Sequence, residues 1–363
     1  MAYTTIDDPS AHFQAVLYTG TGSTQSITND GNSDLKPDWV WVKKRDGTES
    51  HALSDSTRGT SATLFSNTTA AESSSSQGIN SFNTDGFQVG TEGIVNDSGN
   101  AFVGWQWKAN GGTTSSNTDG TITSTVQANT TAGFSIVTFT SAASGSFSVG
   151  HGLGVKPDMV ITKRRADTSN WWTWHKNLTN DTTYYLDLSA TSAEASASNM
   201  WGTAGFTSSV FGMNYPASAY SSSTYVAYCF AEKKGYSKFG VYTSSNLGDV
   251  SGGRVRGKYV HTGFKPAFVM IKVITTSGNW QIYHHKIPTY GNEIDLKLGA
   301  NRDAAENGSD LGNTSQNNLD FYANGFRCTT RNTDTNTGTN KYVYMAFAEN
   351  PFVTSTGIPT TAR

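Results

Sequence analysis

Three short runs of the chain are apolar on both alternating faces: Trp39-Val-Trp-Val42, Met159-Val-Ile161 and Phe268-Val-Met-Ile271. Side chains along a strand alternate with period two, so Trp39 and Trp41 point one way and Val40 and Val42 the other. A strand covered on both faces is central in its sheet. A proline precedes each run (Pro37, Pro157, Pro266) and, lacking an N–H, fixes where ladder pairing begins. A second set of runs is apolar throughout and equally central: Phe102-Val-Gly-Trp-Gln-Trp107, Tyr225-Val-Ala-Tyr-Cys-Phe230 and Tyr342-Val-Tyr-Met-Ala-Phe347. Between them lie short strand signals broken by turn material such as Asn83-Thr-Asp-Gly86 and Asn96-Asp-Ser-Gly99, with the rhythm of a β-sandwich or jelly roll.

These runs belong to one module written three times. Lys36-Pro-Asp-Trp-Val-Trp-Val-Lys43 aligns without gaps to Lys156-Pro-Asp-Met-Val-Ile-Thr-Lys163 and Lys265-Pro-Ala-Phe-Val-Met-Ile-Lys272. The openings Val16-Leu-Tyr-Thr19, Val137-Thr-Phe-Thr140 and Gly240-Val-Tyr-Thr243 correspond, as do Phe87, Phe211 and Phe326. So do the segments ending at Glu72, Glu194 and Glu306, each expected to be a loop or a single turn. Each unit has the size of a small domain, too long for a solenoid turn. The fold expected is all-β: three tandem antiparallel β-sandwich, jelly-roll-like repeats of seven or eight strands. The units run over 13–109, 132–232 and 236–352. They are preceded by an arm (1–12), separated by a linker (110–131) and followed by a polar, loose tail (353–363). The first half of the linker is expected to be flexible and the second half to add a strand. The units are expected to interact only at their ends, so that Trp41→Ala, at about 3–5 kcal/mol, would hardly touch unit three.

Composition narrows the chemistry. Charged residues make up only 15% and the formal net charge is −2, which gives no electrostatic footprint for nucleic acid. Aromatic residues at 12% separate the chain from disordered sequences. No run approaches the roughly 20 apolar residues of a membrane helix, and Met1–Pro9 lacks the features of a secretory signal, so synthesis in a cytoplasm is expected. Cys229 and Cys328 fall at non-equivalent positions, which reads as buried thiols and no disulfide.

No catalytic, cofactor-binding or metal-binding residue is expected. Glu72, Glu194 and Glu306 have no acid or base recurring at fixed offset, which favours a structural carboxylate. His284 and His285 point to opposite faces of a strand and cannot share one ion. The equivalents of His284 are His175 and Asp55, which suggests a half-buried hydrogen-bonding position. Lys43-Lys-Arg45 and Lys163-Arg-Arg165 read as solvated strand ends. On the strand after the anchor, Leu53, Thr173 and Ile282 share the inner face. Trp172 and Trp174 lie on the other face, at the positions of Gln281 and Tyr283, and offer either an exposed ledge for sugar rings or a contact between units or subunits.

The opening Thr4-Thr-Ile-Asp-Asp-Pro-Ser10, with Leu17-Tyr-Thr-Gly20, Gly150-His-Gly-Leu-Gly154, Tyr225-Val-Ala-Tyr-Cys-Phe-Ala-Glu232 and Met345-Ala-Phe-Ala-Glu-Asn-Pro-Phe352, resembles structural proteins of tailed bacteriophages, marine ones in particular. The resemblance covers nearly the whole chain and supplies no functional residues. It implies a non-enzymatic virion component made in the bacterial host cytoplasm, in a tail fibre or tail-associated appendage that takes part in host adhesion. The partners implied are other virion proteins, further copies of the chain in a homotrimer, and host surface glycans. A capsid-exterior decoration protein and a carbohydrate-binding or glycan-cleaving protein are the alternatives.

Overall fold

The structure is a computed structural model and describes residues 3–245, 249–250, 254–286, 293–306 and 319–360. Each unit is built on one large sheet with the same strand order. An opening strand (Phe13–Thr19, Phe134–Thr140, Ser237–Thr243) pairs with the closing strand (Ala101–Trp107, Thr224–Phe230, Lys341–Pro351). The closing strand pairs on its other side with the anchor strand (Trp39–Lys44, Met159–Arg164, Phe264–Val273). The anchor pairs with a fourth strand (Ala52–Asp55, Trp171–His175, Trp280–His284), and a short fifth follows. All these pairings are antiparallel, and the anchor and closing strands are interior, as their two-sided apolar pattern requires.

A smaller sheet covers one face of each large sheet. In unit one it comprises Gln25–Ile27, Phe87–Val89 and Ile79–Phe82, and in unit two Gly145–Gly150 and Val210–Tyr215. In unit three it comprises Tyr259–His261, Gly325–Cys328, Leu319–Tyr322 and Glu293–Ile294. The sandwich core of unit one holds Val16, Val40, Val42, Phe87 and Phe102. That of unit three holds Val269, Ile271, Tyr283, Phe326 and Tyr342.

The opposite faces of the three large sheets meet in a shared core. Trp39, Trp41, Trp105 and Trp107 of unit one, Phe134, Ile161, Tyr228 and Phe230 of unit two, and Phe239, Phe268, Met270 and Phe347 of unit three form one buried cluster. Trp39 stacks on Tyr228 with ring centroids 4.3 Å apart, Phe13 stacks on Phe347 at 5.3 Å, and Phe230 lies 6.1 Å from Phe347. All three pairs of units are therefore joined through aromatic contacts. The expectation that the units touch only at their ends is overturned. Alternation had placed large aromatics on the second face of each sheet, and only burial against the neighbouring sheets removes that face from water.

The connecting segments are also fastened. Ile6 of the arm enters the shared core, and the Thr4 hydroxyl donates to the carbonyl of Lys234 at 3.0 Å. In the linker, Ser124–Asn129 pairs with Phe134–Thr140 and Ser115–Asn117 pairs with Ser124–Asn129, so unit two gains two strands. The flexible first half expected there is instead held by side-chain acceptors. Gly111 N–H donates to Asp38 at 2.8 Å and Gly112 N–H to Gln127 at 2.8 Å. The tail, expected to be loose, folds back through a bridge between Val353 and Pro359, and Ser355 donates to Asp7 of the arm. Residues 361–363 lie outside the described residues.

Candidate functional site

The groups that recur in all three units gather at the joints between them. Glu72 N–H of unit one donates to the carbonyl of Arg165 in unit two at 2.9 Å, and Glu194 N–H of unit two to Ile274 in unit three at 3.0 Å. Glu306 N–H of unit three donates to Arg45 in unit one at 2.7 Å. Arg45, Arg165 and Ile274 hold the same repeat position, so the three bonds close a ring. A second ring runs in the opposite sense. Ser169 N–H reaches the Thr69 carbonyl at 2.9 Å, Gly278 N–H that of Thr191 at 2.8 Å, and Glu49 N–H that of Asp303 at 2.9 Å.

A third ring uses side chains at the start of the fourth strand. Trp171 Nε1 donates to the Phe65 carbonyl at 2.9 Å and Trp280 Nε1 to that of Asp187 at 2.9 Å. His51, which holds the same repeat position, contacts the Gly299 carbonyl through Nε2 at 2.9 Å. Its Nδ1 accepts from Trp41 Nε1 at 2.8 Å, which places the imidazole proton on Nε2. One chain thus forms a closed body with pseudo-threefold arrangement.

The equivalent glutamates serve these joints. Glu72 accepts from Arg165 at 2.9 and 2.8 Å and from Arg58 at 2.8 Å. Burial alone would raise its carboxyl, but the hydrogen bonds and charges of Arg165 and Arg58 outweigh this and hold it below the usual range. At the joint of units three and one, Glu306 pairs with Arg45 at 2.8 Å, yet burial prevails and its carboxyl is raised. Glu194 has Ile274 where the others have arginine, and accepts instead from Thr179 at 2.9 and 2.5 Å. Arg58 is fully buried and also donates to Asp55 at 2.5 Å and to the Tyr228 hydroxyl of unit two at 3.1 Å. Glu72→Gln is therefore expected to cost about 2–3 kcal/mol, because it takes a charged acceptor from a buried guanidinium. Glu306→Gln is expected to cost about 1 kcal/mol. Urea denaturation of both variants checks the order, and an equal or reversed ranking contradicts it.

The basic runs do not lie in solvent. Lys43, Lys163 and Lys272 are fully buried, and burial pushes each ammonium down to about 8. Lys163 Nζ donates to the carbonyls of Thr69 at 3.0 Å and Ser169 at 2.7 Å, and Lys272 Nζ to those of Thr191 at 2.8 Å and Gly278 at 2.5 Å. The carbons of these lysines cross apolar surface; the head groups of Lys163 and Lys272 satisfy joint carbonyls, while Lys43 Nζ donates to the carbonyls of Lys44 at 2.6 Å and Gly47 at 3.3 Å within unit one.

The aromatic ledge is likewise not open. Trp174 is completely buried and stacks on Phe206 at 3.6 Å, while half-buried Trp172 meets Tyr185 edge-on at 5.0 Å. Tyr283 lies inside the core of unit three, and buried Gln281 donates to Asp334 at 2.5 Å. Trp174, Gln281 and Tyr283 are thus covered on this face, and only Trp172 keeps part of its ring exposed. His175 and His284 are fully buried rather than half-buried. Among the described residues no group of three His, Cys, Asp or Glu side chains is placed to hold a metal ion, and no helix is long and apolar enough to cross a membrane.

The family comparison bears on this ring directly. The profile of a family described as a domain of unknown function (DUF7483) matches residues 8–351. The chain belongs to that family. No curated protein and no solved structure matches it. The DUF7483 match runs from the arm to the end of the last closing strand, so the family is defined on the whole ring of three units and not on one repeat.

Sequence reading missed Arg58, which has no counterpart in the repeat alignment, and the burial of the three lysines. It also missed the outer face of the small sheet in unit three. The signal for that face was available: Tyr259 and Arg327 stand where units one and two carry Ser26 and Gln88, and Ser148 and Gly212.

Proposed function

We propose that this DUF7483 chain is a non-enzymatic structural component of a tailed-phage virion, placed in a tail fibre or tail-associated appendage that contacts the host. The observation that carries the reading is the closed ring of joints. At all three joints the backbone N–H of the recurring glutamate and a ring nitrogen at the start of the fourth strand bond across to the next unit, and at two of them a buried lysine, Lys163 or Lys272, also reaches across. A body made this way is rigid and presents a polar, neutral exterior, which suits a load-bearing or spacing part. The sequence resemblance to phage structural proteins supports the same reading.

Gold-labelled antibodies against the chain, applied to purified particles, are expected to mark the tail or its appendages. Absence of the chain from purified particles overturns the proposal. A pseudo-threefold body also matches a local threefold axis of a capsid lattice, and label spread over the head would favour the decoration reading. The ring is complete within one chain, so a homotrimer, if formed, uses surfaces outside these joints. Light scattering on the purified protein separates a mass of one chain, 38.9 kDa, from three. Hydrolysis of a glycan, lost on substitution of a single glutamate, would overturn the non-enzymatic assignment.

A further inference from the structure

We infer that the outer face of the small sheet in unit three binds an oligosaccharide that carries carboxylates. The inference deepens the adhesion reading and rests on it for the site's role in the particle, although binding itself is a property of the free chain.

An open cavity of about 570 Å³ lies on this face, walled by Ser245, Arg256, Gly257, Lys258, Tyr259 and Arg327. Its described walls thus bring three cationic side chains together without a carboxylate. Arg256 and Lys258 are exposed. Half-buried Arg327 has its guanidinium 5.8 Å from the Tyr259 ring and 5.7 Å from the Tyr322 ring. Its Nε is buried and makes no hydrogen bond among the described residues. The two tyrosine rings stand 5.8 Å apart at 68°, forming a corner around the cation. The nearest carboxylate on this sheet, Asp320, is the cross-strand partner of Arg327 on the side away from Tyr259 and accepts from the Tyr322 hydroxyl at 3.0 Å, and Glu293 lies one strand further.

Comparison within the chain sets this surface apart. The register pairs Tyr259 with Arg327, Ser26 with Gln88 and Ser148 with Gly212 at the same place in the three small sheets. In unit two the linker crosses the position, with Thr121 N–H donating to the Ser148 hydroxyl at 3.0 Å. Unit three alone combines aromatic rings with cations there. Substitution by large aromatic and cationic residues, on a scaffold whose joints kept their chemistry, points to a ligand and not to folding.

The chemistry selects the ligand class. A guanidinium fork matches a carboxylate in two parallel hydrogen bonds, and the ammonium of Lys258 and the guanidinium of Arg256 supply further charge. Tyrosine faces receive the C–H faces of pyranose rings and leave sugar hydroxyls free for the Ser245 hydroxyl and water. The cavity volume lies in the range of small-ligand sites.

The test is titration calorimetry of the full chain with a short uronic-acid oligosaccharide, the neutral oligosaccharide of equal length, a sulfated one and a polyglutamate peptide. Binding of the uronate is expected, weakened at least tenfold by Arg327→Gln and severalfold by Arg256→Gln, and reduced by raised salt. Arg256 is exposed, so its variant keeps the test valid should Arg327→Gln misfold. Absence of uronate binding at millimolar concentration overturns the inference, as does binding that both variants leave unchanged. Equal affinity for the sulfated chain overturns the carboxylate assignment, and equal affinity for polyglutamate overturns the sugar class. Uronate binding by a chain that antibodies never find on particles would sink the virion reading alone. Labelled tails with no uronate binding would sink the site alone.

Discussion

Trp41→Ala is expected to lower the unfolding free energy of the whole chain by about 3–5 kcal/mol, in one transition shared by all three units. Trp41 is 1% exposed and packs against Trp39 and, edge-on, Trp105 in the shared core. Its Nε1 donates to His51, which in turn bonds to the carbonyl of Gly299 in unit three. Truncation therefore opens a cavity and also leaves His51 Nδ1 without its donor, which slackens the joint between units one and three. Intrinsic fluorescence, circular dichroism and calorimetry should report coincident midpoints in both the parent and the variant. A variant in which unit three melts at its original temperature while unit one melts early would show the units to be separate.

Acid is the second strong lever. His51, His175 and His284 are fully buried near the joints, and burial holds each imidazole below its ordinary value, His175 at about 3. His175 Nδ1 accepts from Asn177 N–H at 3.2 Å and its Nε2 meets the Tyr344 carbonyl at 3.3 Å, a pattern that only the neutral ring satisfies. Unfolded histidines take up a proton near pH 6.5 while these three stay neutral in the fold. The stability they contribute is present in full above pH 6.5 and is lost as pH falls toward their folded values. His175, held near 3, is expected to remove about 2 kcal/mol by pH 5, and His51 and His284 act in the same direction. Raised carboxyls at Glu306 and Asp38 oppose the loss, and lowered ones at Glu72 and Glu232 add to it at lower pH. Urea denaturation at pH 7, 6 and 5 measures the slope, and His175→Gln should flatten it by about 2 kcal/mol over that range. A parent protein equally stable at pH 7 and pH 5 contradicts this.

Alternation along single strands made much of the fold legible. Trp39-Val-Trp-Val42 announces two covered faces, and both are covered, Val40 and Val42 by the unit's own second sheet and Trp39 and Trp41 by the neighbouring units. The repeat alignment also exposed Glu72, Glu194 and Glu306 as equivalent and structural, although not as parts of a ring. What covers a face is decided by segments distant in sequence, and this is where the reading failed. Phe206 folds onto Trp174, Asp334 reaches Gln281, and the carbonyls of Thr69 and Thr191 capture Lys163 and Lys272. A run such as Lys163-Arg-Arg165 looks solvated because its partners lie in another unit. The Tyr–Arg corner of unit three was hidden for the opposite reason. Attention to what repeats passes over the positions where one copy departs, and those departures carry the proposed binding site.

Expressing residues 1–235, which keep units one and two but remove the third, tests the shared core most directly. With Phe239, Phe268 and Phe347 gone, Phe13 and Trp107 lose their partners in unit three and two of the three joints have no second half. The truncated chain is expected to show no cooperative thermal transition and poor chemical-shift dispersion. A well-dispersed spectrum with a sharp transition near that of the full chain would mean that the units fold on their own.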